Sequence, residues 1–227
     1  MRYDRVVEGK FLSRPNRFIA KVEVDGNIET VHVKNTGRCR EILVPGCKTI
    51  LYDSNNPERK TRYDLIAAYK DDMLINIDSQ APNKAFHEFI LTSGRFGKDP
   101  KVFPEYTHGD SRFDFYIESE GRKIFVEVKG VTLEFDGVCS FPDAPTERGL
   151  KHLRGLRQAL DERYECYAAF VVQMKPMRYF TPNYATHEEF GKVLEEVHNE
   201  GVGILVYDCI VTPDSMVIDA EVPFKFR

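Results

Sequence analysis

Apolar residues recur at every second position over much of the first third of the chain. Phe18, Ala20, Val22 and Val24 alternate with polar neighbours, Asp25-Gly26-Asn27 supplies a turn, and alternation resumes from Ile28 through Thr30 and His32 to Lys34. That is a β-hairpin. Beyond the loop Asn35-Thr36-Gly37-Arg38, short strands are predicted at Ile42 to Val44, Thr49 to Tyr52, Tyr63 to Tyr69 and Met73 to Asn76, separated by Pro45-Gly46 and by the polar run from Asp53 to Pro57. Several short strands without an amphipathic helix predict an all-β unit, an OB-like five-stranded barrel whose closure leaves no exposed edge.

The pattern changes at Ser79 to Asn83. Phe86, Phe89 and Ile90 have helical spacing behind Pro82, which predicts a helix from about Pro82 to Gly94. Strands follow at Lys101 to Tyr106, Arg112 to Glu118 and Lys123 to Leu133, then a loop, GVCSFPDAP, and a helix from about Pro145 with Leu150, Leu153, Leu156 and Leu160 along one stripe. The unbroken apolar run Tyr167 to Val172 reads as a strand buried on both faces. Phe190, Val193, Leu194 and Val197 mark another helix, and Val202 to Ile210 another strand. The expected organisation is therefore a barrel over residues 1–79 and a mixed α/β sheet with helices on its faces over residues 80–227.

One stretch of the second unit combines this alternation with reactive groups. From Arg112 to Lys129, Phe113, Phe115 and Ile117 form one predicted face of a hairpin whose return strand contributes Ile124, Val126 and Val128. A two-residue turn at Glu120-Gly121 pairs Phe115 with Val126 and Ile117 with Ile124, and sets Asp114 opposite Glu127, with Lys129 pointing the same way. Two opposed acids repel unless a cation lies between them. A divalent ion answers that need, since Mg²⁺ takes one or two carboxylates and leaves positions for water and phosphate oxygens. Lys129 would then position the water or the phosphate, which is the equipment of a phosphodiester hydrolase. The plainer reading is a solvated strand face with weak ion pairs, and a one-residue slip in register would part the two acids.

Other residues extend or compete with this site. Glu88, at the border of the first helix's stripe, could reach the same metal. Asp143 could be a fourth polar group, although an Asp before a Pro-started helix is more often its cap. Arg148, Lys151 and His152 lie together on the second helix away from its leucines, as a phosphate contact or a solvated basic face. Charge adds to the picture at the front of the chain. Met1 to Lys48 holds ten basic and six acidic residues, which leaves −8 for the remainder of a chain with net charge −4. Arg14, Asn16, Arg17, Lys21, Lys34, Asn35, Arg38 and Arg40, interleaved with Phe11, Phe18 and His32, have the mix that OB barrels use to track a single strand. The five cysteines are scattered without CxxC or Cys/His spacing, so reduced thiols in a cytoplasmic protein are expected, with neither disulfides nor a zinc site. The start has no apolar signal core, and no stretch approaches a membrane span.

The motifs NTGRCREILVPG, SRFDF, VEVKGVTL, FPDAPTERGLKHL, YFTPN and GVGILVYD closely resemble those of the sugar fermentation stimulation protein A family, over essentially the whole chain. The resemblance implies an N-terminal OB-like domain followed by a domain similar to the PD-(D/E)XK nucleases. In that family of folds the metal-binding Asp matches Asp114, the Glu and Lys match Glu127 and Lys129, and a helical acid matches Glu88. Gly130 and Pro145 depart from the Ser and Val expected in relatives. The implied function is a Mg²⁺- or Mn²⁺-dependent nuclease acting on DNA or RNA, single strands among them. Asp114, Glu127 and Lys129 would be catalytic, Asp114, Glu127 and Glu88 metal-binding. Arg14, Arg17, Lys34, Asn35, Arg38, Arg40, Arg148 and Lys151 would bind nucleic acid. The competing reading is a DNA-binding regulator of sugar (maltose) metabolism without turnover. No membrane partner is expected, and a homodimer is left open.

Overall fold

Six strands open the computed structural model, which describes residues 1–35 and 37–227. They are β1 (Val6–Ser13), β2 (Ile19–Val24), β3 (Asn27–Val33), β4 (Lys48–Asp53), β5 (Tyr63–Lys70) and β6 (Met73–Asn76). β1 pairs with β2 and β4, β2 with β3, β4 with β5, and the parallel pair β3–β5 closes the ring. This is the five-stranded OB barrel, with β6 added outside it on β5. The membership differs from expectation in one place. Ile42 to Val44 is no strand: Leu43 N–H donates to Cys39 O and Val44 N–H to Ile42 O, forming a turn. Cys39, Ile42 and Leu43 are buried with the barrel's Val22, Val31 and Leu65, so this apolar triplet plugs the barrel. The fifth stave is β1, whose sequence VVEGKFLS alternates poorly. Thr36, in the β3–β4 loop, lies outside the described residues.

After β6 come α1 (Ala81–Thr92), β7 (Lys101–His108), β8 (Ser111–Ser119), β9 (Arg122–Val131), β10 (Leu133–Phe135), β11 (Val138–Phe141), α2 (Glu147–Asp161), β12 (Glu165–Val172), β13 (Tyr179–Pro182), α3 (Glu188–Asn199), β14 (Gly203–Thr212) and β15 (Ser215–Glu221). The large sheet runs β15-β14-β12-β9-β8-β7, parallel across β9, β12 and β14 and antiparallel at both flanks. α1 covers one face with Phe86 and Ile90 against Phe115, Ile124 and Val126. α2 and α3 cover the other with Leu153, Leu156 and Leu194 against Phe125 and Phe170. The predicted loop GVCSFPDAP is partly strand, since β11 joins β10 and β13 in a small separate sheet. No helix of the described residues is long and apolar enough to cross a membrane. All five cysteines are free, four of them buried.

Barrel and sheet are stitched together by polar groups. Asp78, fully buried, takes Lys34 Nζ at 3.0 Å and the Tyr3 hydroxyl at 3.0 Å. Gln173 Nε2 donates to the carbonyls of Asn76 and Asp78, and Asn76 N–H donates back to Gln173 O. Residues 1–3 lie along the last hairpin, with Tyr3 N–H donating to Asp214 O and Met216 N–H to Met1 O.

The barrel's closing pair carries its own ion cluster. Where His32 meets Asp64 across β3–β5, Asp64 accepts both Arg59 guanidinium nitrogens, at 2.5 and 3.1 Å, and lies 3.1 Å from His32 Nδ1. Burial pushes the Asp64 carboxyl up, but Arg59 and His32 outweigh it and hold the pKa below the ordinary value. A folded-state pKa that is depressed stabilises above the unfolded value of about 3.9 and loses that contribution as pH falls through the folded one. Asp64→Asn should cost about 1–3 kcal/mol at pH 7. It should also flatten the acid limb of a urea-midpoint curve below about pH 4. An identical acid limb in both proteins would place the sensitivity elsewhere.

Candidate functional site

The β8–β9 hairpin has the anticipated turn, with Glu120 and Gly121 both at positive φ, and the anticipated register, Phe115 with Val126 and Ile117 with Ile124. The ladder then stops one pair short of Asp114 and Glu127. Asp114 Oδ2 accepts the Val128 N–H at 2.7 Å, standing in for the missing backbone partner, and Oδ1 accepts Asn83 Nδ2 from α1 at 2.8 Å. Here the expected alternation fails. Phe115 packs with Phe86 on the α1 side, whereas Phe113 packs on Phe125 at 4.8 Å on the α2 side. β8 therefore changes face across Asp114, which leaves its carboxylate in the seam between the strands. On the neighbouring β7, Glu105 sits at φ 55°, a left-handed conformation of the kind that collects at functional sites.

Glu127 projects from β9 toward α2 and is 2% exposed. Its Oε1 accepts from Lys129 Nζ and from His152 Nδ1. The Glu127 carboxylate can only accept, so Nδ1 is the ring nitrogen that turns a proton toward Glu127. Its other oxygen, Oε2, is buried and has no partner among the described residues. Burial pushes the Glu127 carboxyl up, yet the His152 hydrogen bond and the Lys129 ammonium hold it below the ordinary range. Asp114 moves the opposite way, raised by burial and by the charge of Glu127. Two buried acids that feel each other's charge respond in this fashion when the cations present favour one of them.

Helix α2 delivers His152 because its start and its approach are both fixed. Thr146 caps it, accepting the Gly149 N–H at 3.0 Å, and Gly155 permits close contact with Ser111 of β8. The expected cap, Asp143, is not the cap: it lies exposed beside Gly37 of the barrel loop. His152 also departs from its expected place on a solvent face, being buried with Glu127. Glu88 lines a cleft with Asn83, His87 and Asp114, but its carboxylate pairs with the Met1 amine at 2.5 Å. Asn83, just inside the first turn, is what α1 sends to Asp114. Among the described residues no group of three or more His, Cys, Asp or Glu is gathered as a metal-holding set.

The basic candidates of the barrel divide into two groups. Arg14 donates to the carbonyls of Arg17, Asn35, Gly37 and Arg38, Lys34 is paired with Asp78, and Asn35 holds Ile77 O and Gly37 N–H, so these three organise the loop. Arg17, Arg38 and Arg40 remain exposed around one groove, with Arg17 over the Phe18 ring at 4.7 Å. Phe18 is itself exposed, whereas Phe11 is core. Arg148 and Lys151 are exposed on α2. Asn83 and His152 are the two residues whose place at the site the pattern did not predict. A helical projection pairing Asn83 with Phe86 and Ile90 would have brought the first toward the sheet.

The chain matches the family model described as "Sugar fermentation stimulation protein RE domain" over residues 80–215 and that described as "SfsA N-terminal OB domain" over residues 12–77. Curated relatives called "Sugar fermentation stimulation protein homolog" include one from Desulfitobacterium hafniense, 57% identical over 95% of this chain and 94% of that protein. Another, from Clostridium beijerinckii, is 50% identical over 96% of each chain. The solved structure described as Pyrococcus furiosus SfsA in complex with Ca²⁺ superposes with a TM-score of 0.89 at 25% identity, covering 99% of this chain and 98% of that one.

Replacing His152 with Ala removes one of the two groups that compensate a buried charge. His152→Ala should lower stability by about 2 kcal/mol, read from chemical denaturation. A neutral result would mean that water or Lys129 alone satisfies Glu127.

Proposed function

Since the chain belongs to the sugar fermentation stimulation protein family, we propose that it hydrolyses phosphodiester bonds of nucleic acid with a divalent ion, Mg²⁺ or Mn²⁺, held at Asp114 and Glu127. One observation carries the reading: Glu127 Oε2 is buried and without a partner among the described residues, and its charge is felt by a second carboxylate, Asp114, whose pKa is raised by burial and by Glu127. A buried, unpaired carboxylate oxygen is costly unless a cation or donor meets it. The donor set suits a hard cation, two carboxylates with open positions for water and phosphate. The relative solved with Ca²⁺ supports a divalent ion in this fold. A divalent ion at this place supplies Lewis acidity toward a phosphate oxygen and toward water.

The chain's own residues supply the rest. His152 and Lys129 occupy Glu127 Oε1 and so fix the rotamer that presents Oε2. Asn83 and the Val128 N–H hold Asp114 in the seam. The Lys129 ammonium, already beside Glu127, is placed to offset negative charge developing on a phosphate. Arg17, Arg38 and Arg40 on the barrel, with Arg148 and Lys151 on α2, offer phosphate contacts along the strand. Free thiols throughout suit a reducing, cytoplasmic setting.

Purified protein incubated with single- and double-stranded DNA and RNA should cleave with Mg²⁺ or Mn²⁺ and not after chelation. Glu127→Ala and Lys129→Ala should each lower the rate by about 100-fold or more. Cleavage unchanged in both variants would remove this site from the mechanism. Sequence-selective, salt-sensitive DNA binding that survives chelation and the loss of Glu127, without cleavage, would replace it with the regulator reading.

A further inference from the structure

Lys129, Gly130 and Gln173 lie at the carboxyl ends of the parallel strands β9 and β12, the end at which α/β sheets present their ligands. There a cleft of about 180 Å³ opens between barrel and sheet, the size of one small ring system, lined by Asn35, Gly130, Ser140, Phe141, Asp143 and Gln173 among others. Gln173 is 2% exposed, and its amide cannot be reversed, because Nε2 donates to two backbone carbonyls, Asn76 O at 3.0 Å and Asp78 O at 3.2 Å. Oε1 is thereby the atom turned to the cleft. The missing side chain of Gly130 keeps it open, since a Cβ there would lie 2.5 Å from Oε1. Asp143 adds a carboxylate at the rim. Asn35 Oδ1 accepts the Gly37 N–H, and one hydrogen of its Nδ2 goes to Ile77 O. Gln173 Oε1 and the Asp143 carboxylate are acceptors only, beside the hydroxyls of Ser79, Thr132 and Ser140, which serve either way, and half-buried Phe141 lines the wall. A carboxylate repels phosphate, so this cleft and the neighbouring cationic site at Lys129 suit different parts of one nucleotide chain.

We propose that the cleft receives an unpaired nucleobase bearing an amino group, such as cytosine or adenine. It comes from a nucleotide adjoining the phosphate at Lys129. The ring lies against Phe141, and the amino hydrogens go to Gln173 Oε1 and Asp143. This placement rests on the nuclease reading of the Asp114–Glu127–Lys129 site. It selects single-stranded or unpaired substrate, because a duplex hides that amino edge in its own pairing. Thymine and uracil flank their single imide N–H with two carbonyls, which Gln173 Oε1 and Asp143 repel.

The test uses full-length protein in Ca²⁺ and fluorescence anisotropy of labelled single-stranded 12-mers of dC, dA and dT. The dC and dA strands should bind about tenfold more tightly than dT. Asp143→Ala, an exposed position, should abolish the preference for dC and dA over dT without weakening dT or shifting the melting temperature. Phe141→Leu should weaken all three. A second arm measures the melting temperature with free cytidine, adenosine or thymidine. Cytidine and adenosine should raise it in the wild type and not in Asp143→Ala. If the 12-mers bind equally and no nucleoside shifts the melting temperature, the cleft assignment falls while the nuclease reading stands. If cytidine shifts it but no strand is bound or cut, the cleft stands and the nuclease reading falls.

Discussion

A carboxylate withdrawn from water in mid-strand is the constraint around which the second domain is built. Charge burial of this kind is strongly unfavourable without partners, and the partners of Glu127 come from two different elements. Lys129 follows it on β9, and His152 arrives on α2. For His152 to arrive, α2 must begin at Thr146, rotate its leucines onto the sheet, and approach closely enough that Gly155 meets Ser111. Hydrophobic packing fixes where the helix lies. The buried charge makes that placement consequential.

Asp114 adds the complementary half. Its carboxylate replaces a ladder hydrogen bond, so the loss of regular pairing at the mouth of the hairpin and the presentation of an acid are one event. The chain changes face at this point, with Phe113 and Phe115 feeding different cores. Beneath, the buried Asp78 ties the barrel to the sheet through Lys34, Tyr3 and the Gln173 carboxamide. The grooves on the barrel and the acids on the sheet are therefore held at a set distance from each other.

Much of this was legible in the chain. Period-two alternation marked β2, β3, β8 and β9, and the Glu120-Gly121 turn set the register correctly. The leucine stripe found α2. The failures share a cause. Ile42 to Val44 looks like a short strand by composition, and only barrel closure turns Ile42 and Leu43, with Cys39, into a plug while Val44 stays exposed. β1 escapes the pattern because VVEGKFLS serves two neighbours and alternates imperfectly. His152 was read from its own helix face, yet its place is decided by Glu127, a residue 25 positions earlier in the chain. Asp143 obeyed the local rule for a cap, and Thr146, three residues on, fulfils it instead. Local pattern identifies elements; partners brought together by tertiary structure decide which side chains serve chemistry.

The segment at residues 1–3 has a temporal side. Met1 and Tyr3 are buried, and their backbone partners are Met216 and Asp214 in the last hairpin. Loop-closure entropy rises only logarithmically, so a closure of about 210 residues is not prohibitive once both ends exist. During synthesis they do not both exist, because one end has been made and the other is still to come. Residues 1–3 are thus among the last to find their place, and a nascent chain carries Tyr3 without its partner Asp214 until the last hairpin emerges.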